Sequence, residues 1–167
     1  TAEELIEDVK KKVKGDEAVA IGAIKYMILR QAIGNDIVFD IDKSVSIEGD
    51  SGVYLQYAYA RTNSLLAKSE SWKQGVHSLT KGDEIREIER LLYRFPEIVE
   101  RAGKEYAPHY ITTYLTELAG SFNNFYAHEQ IIDDSLESPY RLAIAKAFNI
   151  VMRNGLNILG IPAPERM

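Results

Sequence analysis

Apolar side chains recur every three to four residues from about residue 51 onward, the spacing that gathers them on one face of a helix. One helix is predicted to begin after Asp50 or Ser51 and to extend to about Lys68. A second long helix is predicted from Pro108 to about Gln130. Their buried stripes are predicted to be Leu55, Tyr59, Thr62 and Leu66 in the first, and Ile111, Leu115, Leu118, Phe122 and Phe125 in the second.

Two further helices are predicted on either side of the long one. After a loop containing Gly75 and Gly82, Asp83 is expected to cap a helix that Pro96 breaks or restarts. The last helix is predicted to have Ser138 as its cap and Pro139 as its first residue. Gly160 is expected to close it. Their apolar positions are Ile85, Ile88, Leu91 and Leu92, and Ile144, Phe148, Val151 and Leu159.

Residues 1–50 predict a smaller unit. A charged helix over residues 2–14 is expected to stop at Gly15, and Asp16 is expected to cap a helix to about Gln31. Residues 36–50 alternate aspartate with apolar residues, which indicates a short strand or an extended linker. The predicted fold class is all-α: a helical bundle over residues 51–167, preceded by a helix–helix–extended segment over residues 1–50.

Composition narrows the class of protein. The chain has 167 residues and no cysteine, which excludes disulfides and thiolate sites and suits a reducing compartment. No apolar run approaches the ~20 residues of a membrane helix, and no signal peptide is visible, so we expect a cytoplasmic protein without a membrane partner. The net charge of -5 argues weakly against nucleic acid, but residues 138–167 carry four basic and one acidic side chain.

Catalytic motifs are absent from the sequence. It contains no glycine-rich phosphate loop and no Ser-His-Asp arrangement. His77, His109 and His128 are far apart and lack a second ligand at helical spacing, so no metal site is predicted. No catalytic residue is predicted either. The residues alone indicate a binding or structural module.

Three stretches carry a family resemblance. Residues 39–61 contain FDID, then EGDSG, then YLQYAYAR. Residues 117–126 read ELAGSFNNFY, and residues 154–167 read NGLNILGIPAPERM. In order and spacing these stretches resemble the C-terminal part of class I arginyl-tRNA synthetases, where the helical bundle binds the anticodon. The resemblance covers nearly the whole chain.

The resemblance also implies what this chain lacks. The HIGH-type and KMSK-type motifs of the family's catalytic domain do not occur in it. Residues 1–50 resemble only the segment that joins the catalytic fold to the bundle and approaches the inner corner of the tRNA. We therefore expect a piece excised from an arginine–tRNA ligase that uses ATP with magnesium. The piece itself is expected to need no cofactor and to be inactive alone. Its expected partners are arginine tRNAs and the parent's catalytic domain, and not DNA.

Tyr54, Tyr57 and Arg61 lie at i, i+3 and i+7, on one predicted helix face. Two aromatic planes and a guanidinium suit unstacked bases, because rings stack on bases and the planar fork binds base edges or phosphate. The resemblance implies that these positions line the anticodon pocket. The alternative is that both tyrosines are partly buried core and Arg61 only solvates the surface.

The other candidate residues lie late in the chain. The resemblance implies that Tyr126 faces the anticodon loop, whereas a tyrosine there is otherwise more often core. Pro162 and Pro164 stiffen the tail, so that Arg166, Met167 and the terminal carboxylate can be presented as a group. The resemblance implies that the closing methionine contributes to anticodon binding, although terminal residues usually fray.

Some interpretations stay open. The lysines at residues 10–14 could touch the tRNA backbone or form a solvated helix end, and the second is favoured. Gly120 is expected to permit a close helix approach. The alternative function is a stand-alone helical module that binds RNA or protein. Such a module would expose an apolar patch in place of an accessible cleft around the tyrosines, Arg61 and Met167.

Overall fold

A computed structural model describes residues 1–69 and 85–167 of the chain. Within these ranges the regular elements are helices and there is no strand, so the predicted all-α fold class is confirmed. No helix there is both long and apolar enough to cross a membrane. The elements are α1 (Ala2–Lys12), α2 (Glu17–Leu29), α3 (Ile41–Ser44), α4 (Gly52–Ser69), α5 (Glu87–Lys104), α6 (His109–His128) and α7 (Ser138–Ile158).

Local capping sets the start of the first two helices. The Thr1 hydroxyl accepts a hydrogen bond from the backbone N–H of Glu4. The Glu4 carboxylate in turn accepts one from the backbone nitrogen of Thr1, which completes a capping box. Asp16 accepts from the backbone N–H of Val19 at 3.0 Å. Gly15 between the two helices has a φ of +85°, a backbone conformation that side chains disfavour. The predicted break at Gly15 and the predicted cap at Asp16 are confirmed.

The strand suggested for residues 36–50 is wrong. Residues 37–40 have no regular structure, and Ile41–Ser44 form the short helix α3, capped by Asp40 through the backbone N–H of Lys43. Phe39, Ile41 and Val45 pack against a small apolar cluster. These side chains pack against helices, and the described residues contain no strand that could pair with this segment.

The break predicted at Pro96 is also wrong, because α5 continues through that residue. Proline removes one backbone hydrogen bond and disfavours a helix interior. Here Leu91 is buried and Phe95 packs on the core beside it, with the Phe95 ring 5.8 Å from that of Tyr114 on α6. This packing holds the helix across the proline. The predictions for Gly75, His77, Gly82 and Asp83 fall outside the described residues.

The predicted cap of the last helix is displaced by one residue. Glu137 occupies the cap position and Ser138 is already helical, with Pro139 in the first turn. The Ser138 hydroxyl donates to the carbonyl of Ile131 and accepts from the backbone N–H of Asp133. The serine therefore fixes the preceding loop rather than the helix end.

The main core lies between α4, α5, α6 and α7, with one large side chain from α2. That side chain is Tyr26, whose hydroxyl bonds the Asp50 carboxylate and the Thr116 hydroxyl. Burial, reinforced by the bond to Asp50, raises the pKa of Tyr26 well above its ordinary value. A second, smaller cluster joins α1 and α2 to the start of α4. Its buried members are Val9, Val19, Ala20, Ala23 and Val53.

Helices α2 and α4 approach each other at glycines. A Cβ on Gly52 would lie 2.3 Å from the carbonyl oxygen of Gly22, which no side chain permits. By contrast, a Cβ on Gly120 would meet nothing within 4 Å, so the close approach predicted there is wrong. Because α2 packs on both clusters, residues 1–50 are joined to the bundle, and the boundary near residue 50 stays a prediction.

Candidate functional site

Helix α4 carries the predicted tyrosine and arginine positions. The Ser51 hydroxyl accepts from the backbone N–H of Tyr54 at 3.0 Å and so caps the first turn. The opposite face of α4 is buried in the core through Leu55, Tyr59 and Thr62, as predicted. That packing fixes the rotation of the helix and turns Tyr57, which is 44% exposed, toward solvent.

A cleft of about 340 Å³ lies between α4 and the last residues of the chain. We call it the tail cleft. Its lining combines one aromatic ring, two guanidinium groups, one hydroxyl and two apolar side chains. The residues are Tyr57, Ala60, Arg61, Ser64, Arg166 and Met167. Four of the six predicted site residues therefore line one depression, with Met167 51% exposed.

Tyr126 adjoins this cleft through Arg61. The guanidinium carbon of Arg61 lies 3.9 Å from the centre of the Tyr126 ring, a cation–π contact between α4 and the last turns of α6. The ring of Tyr126 also lies 6.2 Å from that of Phe122 in the core. The guanidinium of Arg61 is thus held over an aromatic ring that itself contacts the core.

Tyr54 occupies a different position from Tyr57 and Arg61. Its hydroxyl accepts a hydrogen bond from the amide nitrogen of Asn123 on α6 at 2.9 Å, and the ring packs half-buried against the core. It does not line the tail cleft. Asn123 lies in the ELAGSFNNFY stretch, but a single sequence gives no indication that it would meet Tyr54.

The tail that forms the far side of the cleft is fixed at its base. Gly160 has a φ of +64° and ends α7, and the next side chain, Ile161, is buried. Lys25 of α2 donates to the carbonyl of Gly160, and Gln56 of α4 donates to the carbonyl of Pro162 at 2.8 Å. No pattern in the sequence points to Lys25, whereas one feature points to Gln56. A polar residue within the apolar-rich YLQYAYA stretch was the available signal.

The cleft is continuous with a second depression along α4. That depression has a volume of about 600 Å³ and shares Ser64 and Arg166 with the tail cleft. It adds Asn63 and Leu66 and one carboxylate, Glu165. Together the two depressions form a groove along α4 beside two arginines, Arg61 and Arg166.

The amino-terminal lysines are paired with acidic neighbours. Lys10 contacts Glu17 at 3.1 Å, and Lys11 contacts Asp8 at 2.9 Å. Lys12 contacts Asp42 at 3.0 Å. These ion pairs favour the interpretation of a solvated helix end.

Comparison with known proteins identifies the family. Residues 55–167 match the family described as the DALR anticodon binding domain. The chain belongs to this family. Its matched region begins in the first turn of α4 and includes every candidate residue except Tyr54.

Curated relatives extend the likeness toward the amino terminus. The chain is 39% identical over 161 residues to the arginine–tRNA ligases of Streptococcus suis and Streptococcus pneumoniae, which covers 96% of this chain. It spans 29% of the length of these relatives. The resemblance to arginyl-tRNA synthetases is thereby confirmed, and a stand-alone interaction module is not favoured.

Two solved structures of arginyl-tRNA synthetases are similar to this chain. The arginyl-tRNA synthetase of Thermus thermophilus matches all of this chain with a TM-score of 0.88 and 28% sequence identity, over 32% of its own length. The arginyl-tRNA synthetase of Plasmodium falciparum matches 99% of the chain with a TM-score of 0.75 at 23% identity, over 32% of that protein, which supports the fold alone.

Proposed function

We propose that this chain recognises the anticodon of arginine tRNA as part of an arginine–tRNA ligase. The observation that carries the proposal is the convergence of Tyr57, Arg61, Arg166 and Met167 on one cleft, in a domain of an anticodon-binding family. An anticodon is a short single-stranded segment whose bases can unstack. Proteins read such segments by stacking and by hydrogen bonds to base edges.

Each side chain has a chemical role in this proposal. The exposed ring of Tyr57 stacks on a base, a contact worth roughly 1–3 kcal/mol. Arg61, whose guanidinium lies over the Tyr126 ring, directs its planar N–H donors at a base edge or a phosphate. Arg166 adds charge for the phosphate backbone, and Met167 supplies a polarisable apolar contact on the far side of the cleft. Tyr54 acts indirectly, by holding α4 against α6.

The parent protein would attach arginine to tRNA at the expense of ATP, with magnesium. We assign that chemistry to parts of the parent outside this chain. Among residues 1–69 and 85–167, no three histidines or carboxylates are grouped closely enough to hold a metal ion. This chain's contribution is to select the tRNA, its partners being the tRNA and the remainder of the parent. The proposed function implies a cytoplasmic protein.

A binding titration tests the proposal. The chain is titrated with an arginine-tRNA transcript and with the same transcript carrying replaced anticodon bases, at two salt concentrations. We expect a preference for the natural anticodon that persists at the higher salt, because base contacts do not depend on counterion release. Equal binding that salt weakens equally would contradict base recognition and leave only attraction to the backbone.

Matched variants sharpen this test. Tyr57→Ala is expected to weaken tRNA binding because the stacking ring is lost, whereas Tyr57→Phe retains the ring and most of the affinity. Tyr93 is 87% exposed on α5 and does not line the cleft, so Tyr93→Ala serves as the control. Equal losses for Tyr57→Ala and Tyr93→Ala would argue against the tail cleft as the reading site.

A further inference from the structure

Gln56 is a fully buried polar side chain that joins three parts of the molecule. Its amide nitrogen donates to the carbonyl of Ala18 in α2 at 3.2 Å and to the carbonyl of Pro162 in the tail at 2.8 Å. Both N–H groups of the amide are therefore used. Both acceptors are backbone atoms outside the helix that carries Gln56. Burying an amide is unfavourable unless its polar atoms are satisfied. Here both N–H donors are paired, whereas Oε1 has no hydrogen-bond partner among the described residues, so the two donated bonds are what hold the side chain in place.

The space for this amide comes from Gly22. A Cβ on Gly22 would lie 2.5 Å from the amide nitrogen of Gln56 and 2.7 Å from its oxygen. The absence of a side chain at this position lets the amide lie flat against α2. Gly22 in α2 therefore leaves the space that Gln56 needs to reach the tail.

A side chain of α2, Lys25, fixes a second residue of the tail, Gly160. The ammonium group of Lys25 donates to the carbonyl of Gly160. Between the two bonded carbonyls, the Ile161 side chain is buried in the main core. Three consecutive residues, Gly160, Ile161 and Pro162, are therefore anchored to α2, the core and α4 in turn.

This anchor sets the position of the residues beyond it. Pro162 and Pro164 restrict the backbone of the tail, so the direction in which the chain leaves Pro162 carries through to Arg166 and Met167. Those last two side chains line the tail cleft opposite Tyr57. Loss of the bonds at Gly160 and Pro162 would let them move away while Ile161 keeps its place in the core.

We infer that Gln56 and Lys25 are positioning residues for the tail cleft: they hold the tail so that Arg166 and Met167 meet the RNA. This inference rests on the proposed function. It assigns a role in RNA binding to α2, a helix that lines neither depression of the groove. The affinity for the anticodon depends on the two bonds from side chains to the tail backbone.

Methionine methyl labelling reports the tail directly. The sequence contains three methionines, so a chain labelled with ¹³C at the methionine methyl groups gives three signals in an NMR spectrum. Met27 and Met152 are buried and report the fold, whereas Met167 is exposed in the cleft and reports the tail. In the natural chain we expect the Met167 signal to differ from that of a free, disordered methionine.

Gln56→Leu removes both N–H donors and replaces the amide with an apolar side chain of similar size. We expect its Met167 signal to move toward the disordered value while the Met27 and Met152 signals stay in place. Its affinity for the arginine-tRNA transcript is expected to fall about tenfold, as for one lost contact of about 1.4 kcal/mol. Lys25 is exposed, so its replacement does not threaten folding. Lys25→Ala is expected to act in the same direction, and Lys25→Arg to restore binding by donating to the same carbonyl.

Tyr114→Phe is the matched control. The Tyr114 hydroxyl donates to the carbonyl of Leu91 at 2.9 Å, another buried bond from a side chain to a backbone carbonyl, remote from the tail. Its loss is expected to lower stability but to leave both the Met167 signal and the tRNA affinity unchanged. If Tyr114→Phe weakens tRNA binding as much as Gln56→Leu does, the effect is one of general stability and the inference is overturned.

The remaining outcomes separate this inference from the proposed function. An unchanged Met167 signal in Gln56→Leu and Lys25→Ala overturns the inference, whatever the tRNA result. A loosened tail with unchanged affinity overturns the claim that the tail meets the RNA. If the natural chain shows no preference for the arginine anticodon, the proposed function fails, while the methyl signals still show whether the two residues hold the tail.

Discussion

The guanidinium of Arg61 lies over the ring of Tyr126 at 3.9 Å, which joins the middle of α4 to the end of α6. In an unstacked arginine the planar group rotates freely about several bonds. Here the ring restricts that rotation before any ligand arrives, and ordering a side chain in advance lowers the entropy lost on binding. Under the proposed function Tyr126 supports Arg61 from below, rather than presenting its own face to a base.

The first prediction tests whether the planar shape of the Arg61 guanidinium matters in addition to its charge. Arg61→Lys keeps one positive charge but lacks the planar fork, so we expect the affinity for arginine tRNA to fall by about tenfold, or about 1.4 kcal/mol. The dependence of affinity on salt should hardly change, because the number of charges is the same. Filter binding at two salt concentrations measures both. Arg153→Lys, at an exposed position on α7 outside the cleft, is the control.

The second prediction concerns the end of the tail. Adding two glycines after Met167 crowds the cleft that its side chain lines, so we expect weaker tRNA binding at unchanged thermal stability. Met167→Leu keeps the length and the apolar contact and should bind nearly as well as the natural chain. An extended chain that binds with natural affinity would show that the terminus takes no part.

A third prediction tests the bond between Tyr54 and Asn123. Tyr54→Phe and Asn123→Ala each remove one partner of this half-buried hydrogen bond. We expect each to lower the free energy of unfolding by about 0.5–1.5 kcal/mol, and the double variant to lose less than the sum of the two. Urea unfolding of the three variants and the natural chain gives the coupling. Strictly additive losses would show that the two side chains do not interact.

The fourth prediction compares two glycines in helices. Gly52→Ala forces a Cβ against the carbonyl of Gly22, so we expect a loss of about 1–3 kcal/mol. Gly120→Ala places its Cβ in open space within α6 and should raise stability by about 0.5–1 kcal/mol through helix propensity. Thermal unfolding measures both. Opposite signs are the expected result, and a stabilising Gly52→Ala would contradict the close crossing of α2 and α4.

The fifth prediction follows from the raised pKa of Tyr26. Burial and the bond to Asp50 keep the phenol protonated in the folded chain, whereas in the unfolded chain it ionises near its ordinary pKa of about 10. The unfolded state therefore holds fewer protons above that pH, and stability falls as pH rises. Tyr114, whose pKa burial also raises, contributes in the same direction.

Urea midpoints between pH 8 and pH 11 test this effect. Tyr26→Phe should be less stable than the natural chain at pH 8, because it loses the bonds to Asp50 and Thr116, yet should lose less stability between pH 8 and pH 11. Tyr93→Phe, at an exposed position, should keep the natural slope. Equal slopes for the natural chain and Tyr26→Phe would show that Tyr26 ionises normally in the fold.

Helix positions could be predicted from the sequence because their causes are local. Caps such as Asp16 and Ser51, and the stripe of Leu55 and Tyr59, act within a few residues along the chain. The errors came where tertiary packing decides the outcome. Helix α5 continues through Pro96 because Phe95 packs against Tyr114 on α6. The segment from Phe39 to Val45 packs around the short helix α3 rather than forming a strand.

Part of the candidate site could also be predicted from the sequence, and part could not. Helical spacing placed Tyr57 and Arg61 together, and both line the tail cleft. Spacing also placed Tyr54 with them, but only a residue on another helix, Asn123, decides which way Tyr54 is held. The roles of Gln56 and Lys25 depend on carbonyls more than a hundred residues away, and spacing within a single sequence does not reveal such contacts.

The bond from Gln56 to Pro162 closes a stretch of 106 residues, whereas its bond to Ala18 closes one of 38. Closing a long stretch of chain loses more entropy than closing the short loop of a helical hydrogen bond, and contacts of long range form slowly. During refolding, helix content should therefore return before the two sides of the tail cleft meet. Competence to bind tRNA would then be the last property the chain acquires, with a rate distinct from that of its circular dichroism signal.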